Sequence, residues 1–192
     1  MDILKNSLRQ SHDYVEMIVK KGDVVIDATA GNGKDTCFLA SLVGKEGRVY
    51  AFDIQKEAIE ATRVLLLKQG LLDCVELIKD GHQNLDKYVK SSVSCVMFNL
   101  GYRPGGEHRI ATDFNTTKDA IQKSLDILMF SGIITIVVYH GKDSGSKEKD
   151  ALLDFVKSLD PKRYKVMETQ FMNQVNNPPI LVCIQKTKHR IV

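Results

Sequence analysis

The sequence predicts an α/β protein: a doubly wound, mostly parallel sheet of seven strands that ends in a C-terminal antiparallel hairpin. Three observations carry that prediction. Short apolar runs alternate with helix-period stretches five times along the chain. The first run, Val24-Val25-Ile26-Asp27, passes through a Gly31-Asn32-Gly33 turn into a helix, the arrangement of a sheet that binds ligands at its C-terminal edge. The last two apolar runs, 164–170 and 180–186, follow one another with no helix between them, so they pair as a hairpin.

A length of 192 residues suits one domain with a substantial core, so 1–192 is read as a single unit in which 1–20 is a leading helix. With 43% hydrophobic and 27% charged residues the composition is that of a soluble globular protein. No apolar run approaches a membrane span and Met1 to Gln10 is too polar for a signal-peptide core; a cytoplasmic protein without a membrane partner is expected. Cys37, Cys74, Cys95 and Cys183 are far apart with no C-x-x-C pair, and read as small buried hydrophobes. A net charge of +3 permits a nucleic-acid partner without arguing for one.

In chain order, Leu4, Leu8, Val15, Ile18 and Val19 form a helical stripe ending at Lys20-Lys21-Gly22, expected to cross the mouth of the sheet. His12 lies by that stripe and reads as a histidine at a helix–core boundary. Strand 24–28 is followed by a helix with Phe38, Leu39 and Leu42 on one face before Gly44. The second strand, 47–53, leads to a helix over 56–69 with Ala58, Ile59, Thr62, Leu65 and Leu66 inward and Gly70 as its stop. Strand 74–79 ends in Asp80-Gly81-His82, and a short helix near 84–90 precedes strand 93–98. That strand runs into Asn99-Leu100-Gly101-Tyr102-Arg103-Pro104-Gly105-Gly106. A long helix is predicted over 111–130, with Ala120, Ile121, Leu125, Leu128 and Met129 on its buried side. Gly132 opens strand 133–139, which leads into His140-Gly141-Lys142-Asp143-Ser144-Gly145; a helix over 147–159 ends before Pro161. Asn177-Pro178-Pro179, between the last two strands, reads as a rigid connection and not as a catalytic motif.

Three acids end three successive strands: Asp27, Asp53 and Asp80. Asp53 lies 20 residues beyond Gly33, the spacing at which a carboxylate meets a pair of ribose hydroxyls. That spacing also fits NAD, but the loop is Ala-Gly-Asn-Gly rather than G-x-G-x-x-G and offers a pyrophosphate fewer close backbone approaches. Asp80 suits a donor such as an adenine amino group. Asn99 stands at the end of the fourth strand, with Tyr102 three residues on. His82, His108 and His140 share no metal-ligand spacing, so no metal is expected.

Asp27-Ala28-Thr29-Ala30-Gly31-Asn32-Gly33-Lys34-Asp35-Thr36 together with Phe98-Asn99-Leu100-Gly101-Tyr102-Arg103-Pro104-Gly105-Gly106 resembles the rRNA methylase family of S-adenosylmethionine-dependent class I methyltransferases. Further matches are Ser11-His12, Tyr139-His140-Gly141, and Asn173-Gln174 with Asn177-Pro178-Pro179, so the resemblance spans nearly the whole chain. The chain departs from it after His140, where Lys142-Asp143-Ser144-Gly145-Ser146 stands in place of a run richer in glycine and proline. The resemblance implies S-adenosylmethionine as cofactor, its methionine and ribose portions wrapped by Gly31, Asn32 and Gly33. Asp27 would order the loop and reach the methionine amine, with Thr29, Asp35 and Thr36 counted in the same set. Asp53 would take the ribose hydroxyls, Ile54 and Gln55 would flank the adenine, and Asp80, Gly81 and His82 would cover its edge. Asn99, Tyr102, Tyr139 and His140 form the implied catalytic group: the Asn99 side-chain oxygen would accept from a substrate amine, Tyr102 would stack on a base, and Tyr139, His140 or water would remove a proton.

Members of this family act on the tRNA wobble uridine, methylating the amine of 5-aminomethyl-2-thiouridine, so RNA, and the tRNA anticodon loop in particular, is the expected partner. An rRNA base, a small-molecule amine, and a nucleotide-binding protein without catalysis remain as alternatives. RNA contacts would fall to Lys5, Arg9, Arg103, Arg109, Lys142, Lys186, Lys188 and Arg190, and a homodimer would extend that basic surface.

Overall fold

The computed structural model describes residues 3–101, 114–140, 144–175 and 177–187. The first helix, α1 (Ser7–Ile18), starts where the Asn6 side chain accepts a hydrogen bond from the Arg9 N–H. That cap sets the start later than the apolar stripe predicted, and leaves Leu4 exposed ahead of the helix. The chain then alternates β1 (Val24–Asp27), α2 (Lys34–Val43), β2 (Arg48–Phe52), α3 (Lys56–Gln69), β3 (Val75–Ile78) and the single turn α4 (Leu85–Tyr88). It continues through β4 (Val93–Leu100), α5 (Phe114–Ile127), β5 (Leu128–Val138), α6 (Ser144–Lys157), β6 (Tyr164–Thr169) and β7 (Ile180–Lys186).

The strands form one sheet in the order β3-β2-β1-β4-β5-β7-β6. β3, β2, β1, β4 and β5 run parallel, while β7 lies antiparallel between β5 and β6. Strand order reverses at the β1/β4 junction, the switch point where crossovers diverge and leave a crevice above the C-terminal strand ends. Side chains alternate between the two faces. Ile26, Phe52, Phe98 and Ile134 pack with α5 and α6 residues such as Ile121 and Leu152. Val25, Val49 and Met97 pack the other way, with Val15 of α1, Leu39 of α2 and Leu66 of α3. The four cysteines are free thiols buried on this second face.

Several boundaries differ from the sequence reading. The helix predicted through Phe130 ends at Ile127, and Leu128 already pairs with Val93 as the start of β5. Lys186 of β7 donates from Nζ to the carbonyls of Leu125 and Leu128, which ends the helix from outside it. Ser131 has φ 66, so the strand start is irregular, and Met129 is 44% exposed where a buried position was expected. Cys74 lies in a short 3-10 turn before β3. A 3-10 turn over His82–Asn84 precedes α4, so the predicted 84–90 helix is the single turn Leu85–Tyr88. α6 begins at Ser144 and ends at Lys157, and β4 extends through Asn99 and Leu100.

Asp27 ends β1 at the switch point, with its carboxyl group only 1% exposed. Its Oδ2 accepts from the Thr36 hydroxyl at 2.5 Å, and its Oδ1 from the Thr29 N–H at 3.1 Å. Burial, reinforced by the neighbouring charge of Asp35, pushes its pKa from 3.8 up to about 7 despite those two bonds. Such a group keeps its proton in the folded chain at pH values where the unfolded chain has lost it. The folded state then binds more protons, so stability falls as pH rises from the unfolded to the folded pKa. Urea denaturation at about pH 5 and about pH 7.5 should therefore show a larger loss of stability in the parent than in Asp27→Asn. Equal losses in the two proteins would show that Asp27 titrates normally.

Candidate active site

The site is built on the loop that leaves β1. Gly31 and Gly33 both have positive φ, 52° and 79°, so the turn doubles back over the strand end. A Cβ on Gly33 would lie 2.9 Å from the Thr62 Cα, so close packing against α3 demands glycine as strictly as the dihedral does. Thr62 Oγ1 donates to the Gly31 carbonyl at 3.3 Å. Gly33 precedes α2, whose start has no side-chain cap, and Asn32 beside it is exposed. The first-turn N–H groups of such a helix are left for solvent or a ligand.

Asp53, at the end of β2, accepts from Gly31 N–H through Oδ2 and from Gln55 N–H through Oδ1, both at 2.9 Å. It joins the glycine turn to the β2–α3 corner, where Ile54 is 55% exposed. Asp80, at the end of β3, is engaged by its own turn. Gly81 N–H, Asn84 Nδ2 and Tyr88 OH donate to its carboxylate at 2.7, 2.9 and 3.0 Å. Those bonds, Asn84's foremost, hold its carboxyl below the usual range. The His82 ring is buried, its Nδ1 3.1 Å from the Ala28 carbonyl oxygen and its plane edge-on to Phe98. Desolvation lowers its pKa, so it stands under the β1 end as a neutral ring.

On the other side of the switch point, Asn99 donates its backbone N–H to Thr29 Oγ1 at 2.8 Å and its side-chain Nδ2 to Asp35 Oδ2 at 3.2 Å. Asp35, in the first turn of α2, has its other oxygen 2.8 Å from His12 Nε2. The His12 ring lies flat on Phe38, centroids 4.0 Å apart and planes 8° from parallel. The structure thus brings His12, read from sequence as a boundary histidine, into the polar cluster around Asn99. Gly101 approaches Tyr139 so closely that a Cβ there would lie 2.8 Å from the Tyr139 Cβ. Burial and then the Asp35 charge raise the Tyr139 pKa, which favours its neutral phenol. His140 follows Tyr139 and is half-buried.

Tyr102 lies outside the described residues, as do Arg103, His108, Arg109, Gly141, Lys142, Lys188 and Arg190. Two further cations expected to face RNA are otherwise engaged. Lys5 sits 2.8 Å from both Asp13 oxygens, and Lys186 donates to the Leu125 and Leu128 carbonyls. Arg9 is exposed. Among the described residues, no helix is long and apolar enough to cross a membrane.

Residues 49–185 match the family described as "Putative rRNA methylase". Over 192 aligned residues the chain is 35% identical to the chloroplastic tRNA (mnm(5)s(2)U34)-methyltransferase of Arabidopsis thaliana, covering 95% of this chain and 70% of that protein. A "putative rRNA-methylase" structure from Clostridium thermocellum superposes with a TM-score of 0.95 at 56% identity, over 96% of this chain and 100% of that one. A "putative methyltransferase" from Streptococcus mutans, solved in complex with SAH, superposes at 0.89 with 44% identity, over 96% and 99% of the two chains. With its switch-point glycine turn and closing antiparallel strands, the chain belongs to this rRNA methylase family of S-adenosylmethionine-dependent methyltransferases.

Proposed function

We propose that the chain methylates the side-chain amine of 5-aminomethyl-2-thiouridine at the wobble position of tRNA. The observation that carries the chemistry is Asn99, a half-buried amide held at the end of β4 by Thr29 and Asp35 beside the glycine turn. Similarity to a relative named for that tRNA methylation supplies the substrate. Wobble uridine sits in a single-stranded loop, where a base can be turned out without melting a helix. A small domain can reach such a target.

The residues around Gly31–Gly33 suit S-adenosylmethionine. Asp53 offers acceptor oxygens at the strand end where ribose hydroxyls need them, and exposed Ile54 beside it offers an apolar surface for a purine. The Asp53 carboxylate beside the turn favours a sulfonium cation over a pyrophosphate. In this reading Gly31, Asn32 and Gly33 wrap the cofactor, Gln55 joins Ile54 at the adenine, and Asp80, Gly81 and His82 shape its far edge. Asp27, Thr29 and Thr36 hold the turn in place from beneath.

When bound, S-adenosylmethionine supplies an electrophilic methyl group. The chain must present a substrate nitrogen with a free lone pair, and Asn99 Oδ1 does this by accepting one amine hydrogen. An alkylammonium must first lose a proton, a task for Tyr139, His140 or water. Positioning supplies most of the rate in such an in-line displacement. Tyr102 is proposed to stack on the target base.

Labelled S-adenosylmethionine should transfer its methyl group to tRNA from a strain lacking the gene, with nucleoside mass spectrometry showing aminomethyl-thiouridine converted to its methylated form. Label found in rRNA alone would contradict the proposal. Asn99→Ala should lower kcat about 100-fold or more while cofactor Kd moves less than about threefold. Parallel loss of both would make Asn99 a cofactor residue. Gly33→Ala, forced against Thr62 at a positive φ, should weaken S-adenosylmethionine binding by about tenfold or more in titration calorimetry. Unchanged affinity would show that the turn does not shape the cofactor site.

A further inference from the structure

We propose that Asp35 and His12 form a positioning pair that decides which end of the Asn99 side chain faces the substrate. The inference rests on the reading of Asn99 above and adds residues that act through it. Asp35 is 7% exposed, and each of its oxygens has a partner: Asn99 Nδ2 at 3.2 Å on one, His12 Nε2 at 2.8 Å on the other.

An asparagine amide can turn by half a rotation and present either its carbonyl or its NH2 group with little change of shape. The two ends have opposite consequences for an amine substrate. A carbonyl accepts an amine hydrogen and leaves the nitrogen lone pair free. An NH2 group would donate to that lone pair and occupy the electrons needed for the new bond. An ionised carboxylate can only accept, so beside Asp35 the Asn99 amide must spend its NH2 inward, which leaves Oδ1 as its other end. The selection is made by a fixed charge and not by substrate binding.

His12 completes the device. Its Nε2–H occupies the second Asp35 oxygen, which holds the carboxylate plane toward Asn99. Phe38, on α2 with Asp35, fixes the imidazole plane by stacking. The helix that carries His12 lies outside the strand–helix alternation and packs on β5 and β7. Its first turn is tied down by the Ser7 hydroxyl donating to the Pro179 carbonyl. The Asn177-Pro178-Pro179 connection therefore serves the site at one remove, by anchoring the helix that positions His12.

The test uses the full chain, S-adenosylmethionine and tRNA bearing 5-aminomethyl-2-thiouridine. Asp35→Asn, which can offer either end of its own amide, should lower kcat about 10- to 100-fold with KM for tRNA and Kd for S-adenosylmethionine within about threefold. In an Asn99→Ala background the same change should cost less than about twofold more, because its effect passes through Asn99. His12→Phe keeps a ring for Phe38 but loses the donor and should lower kcat about tenfold; His12→Gln, which restores an N–H donor, should recover most of that loss. In protein labelled with 15N-asparagine, the Asn99 side-chain amide resonance should move in Asp35→Asn and in His12→Phe.

Additive losses for Asp35 and Asn99, or a cofactor Kd that rises in step with the loss of kcat, would overturn the positioning role. His12→Gln as inactive as His12→Phe would overturn it too, since the imidazole itself would then be needed as a base. If Asn99→Ala methylates normally, the reading of Asn99 fails and takes this inference with it. If Asn99→Ala is inactive while Asp35→Asn is fully active, only the positioning pair fails.

Discussion

The buried carboxyl group of Asp27 is the constraint on which the site depends. It sits at the end of the strand where the sheet reverses direction, out of reach of water, with Thr36 of α2 and the Thr29 backbone as its hydrogen-bond partners. Those two bonds close the loop across its base, so Gly31-Asn32-Gly33 is held between β1 and α2 at both ends. The geometry is bought with desolvation, which the raised pKa of Asp27 records. Asp53 then fastens the top of the turn through Gly31, and Thr29 passes the same order to Asn99 across the switch point. Three strand ends are joined through side chains as well as through the sheet.

Much of this was legible in the sequence because it is written locally. Strand, glycine turn and helix succeed one another within a few residues, and the positive φ at Gly31 and Gly33 follows from turn chemistry alone. The exact agreement of α3 with the predicted 56–69 span has the same source: an apolar stripe of helical period and a glycine stop, with Gly70 left-handed at φ 67. The closing strand pair was visible from the missing helix between two apolar runs.

What was not legible depends on residues far apart in the chain. Leu128 and Met129 continue the helical period of α5, and only Lys186, 58 residues beyond Leu128, shows why the helix stops short of them. His82 follows a strand-end acid, which places it in a loop, but its ring turns under β1 to Ala28. His12 was the largest omission. A leading helix has no crossover rule to place it, so its docking on β5 and β7, and the contact with Asp35 that results, could not be read from periodicity. The one available signal was the Ser11-His12 pair within the family resemblance, which carries no geometry of its own.

The acids at the mouth of the site divide the work. Asp27 orders the loop from below, Asp35 faces Asn99, and Asp53 stands where ribose hydroxyls would meet the β2 end. The central claim, that this loop and Asp53 form a cradle for S-adenosylmethionine, is tested most directly by calorimetric titration of S-adenosylmethionine and of NAD into the parent chain and into Asp53→Asn. The account predicts binding of S-adenosylmethionine by the parent, weakened about tenfold or more by Asp53→Asn, and no binding of NAD. Equal affinity of parent and variant for S-adenosylmethionine, or tight binding of NAD, would contradict it.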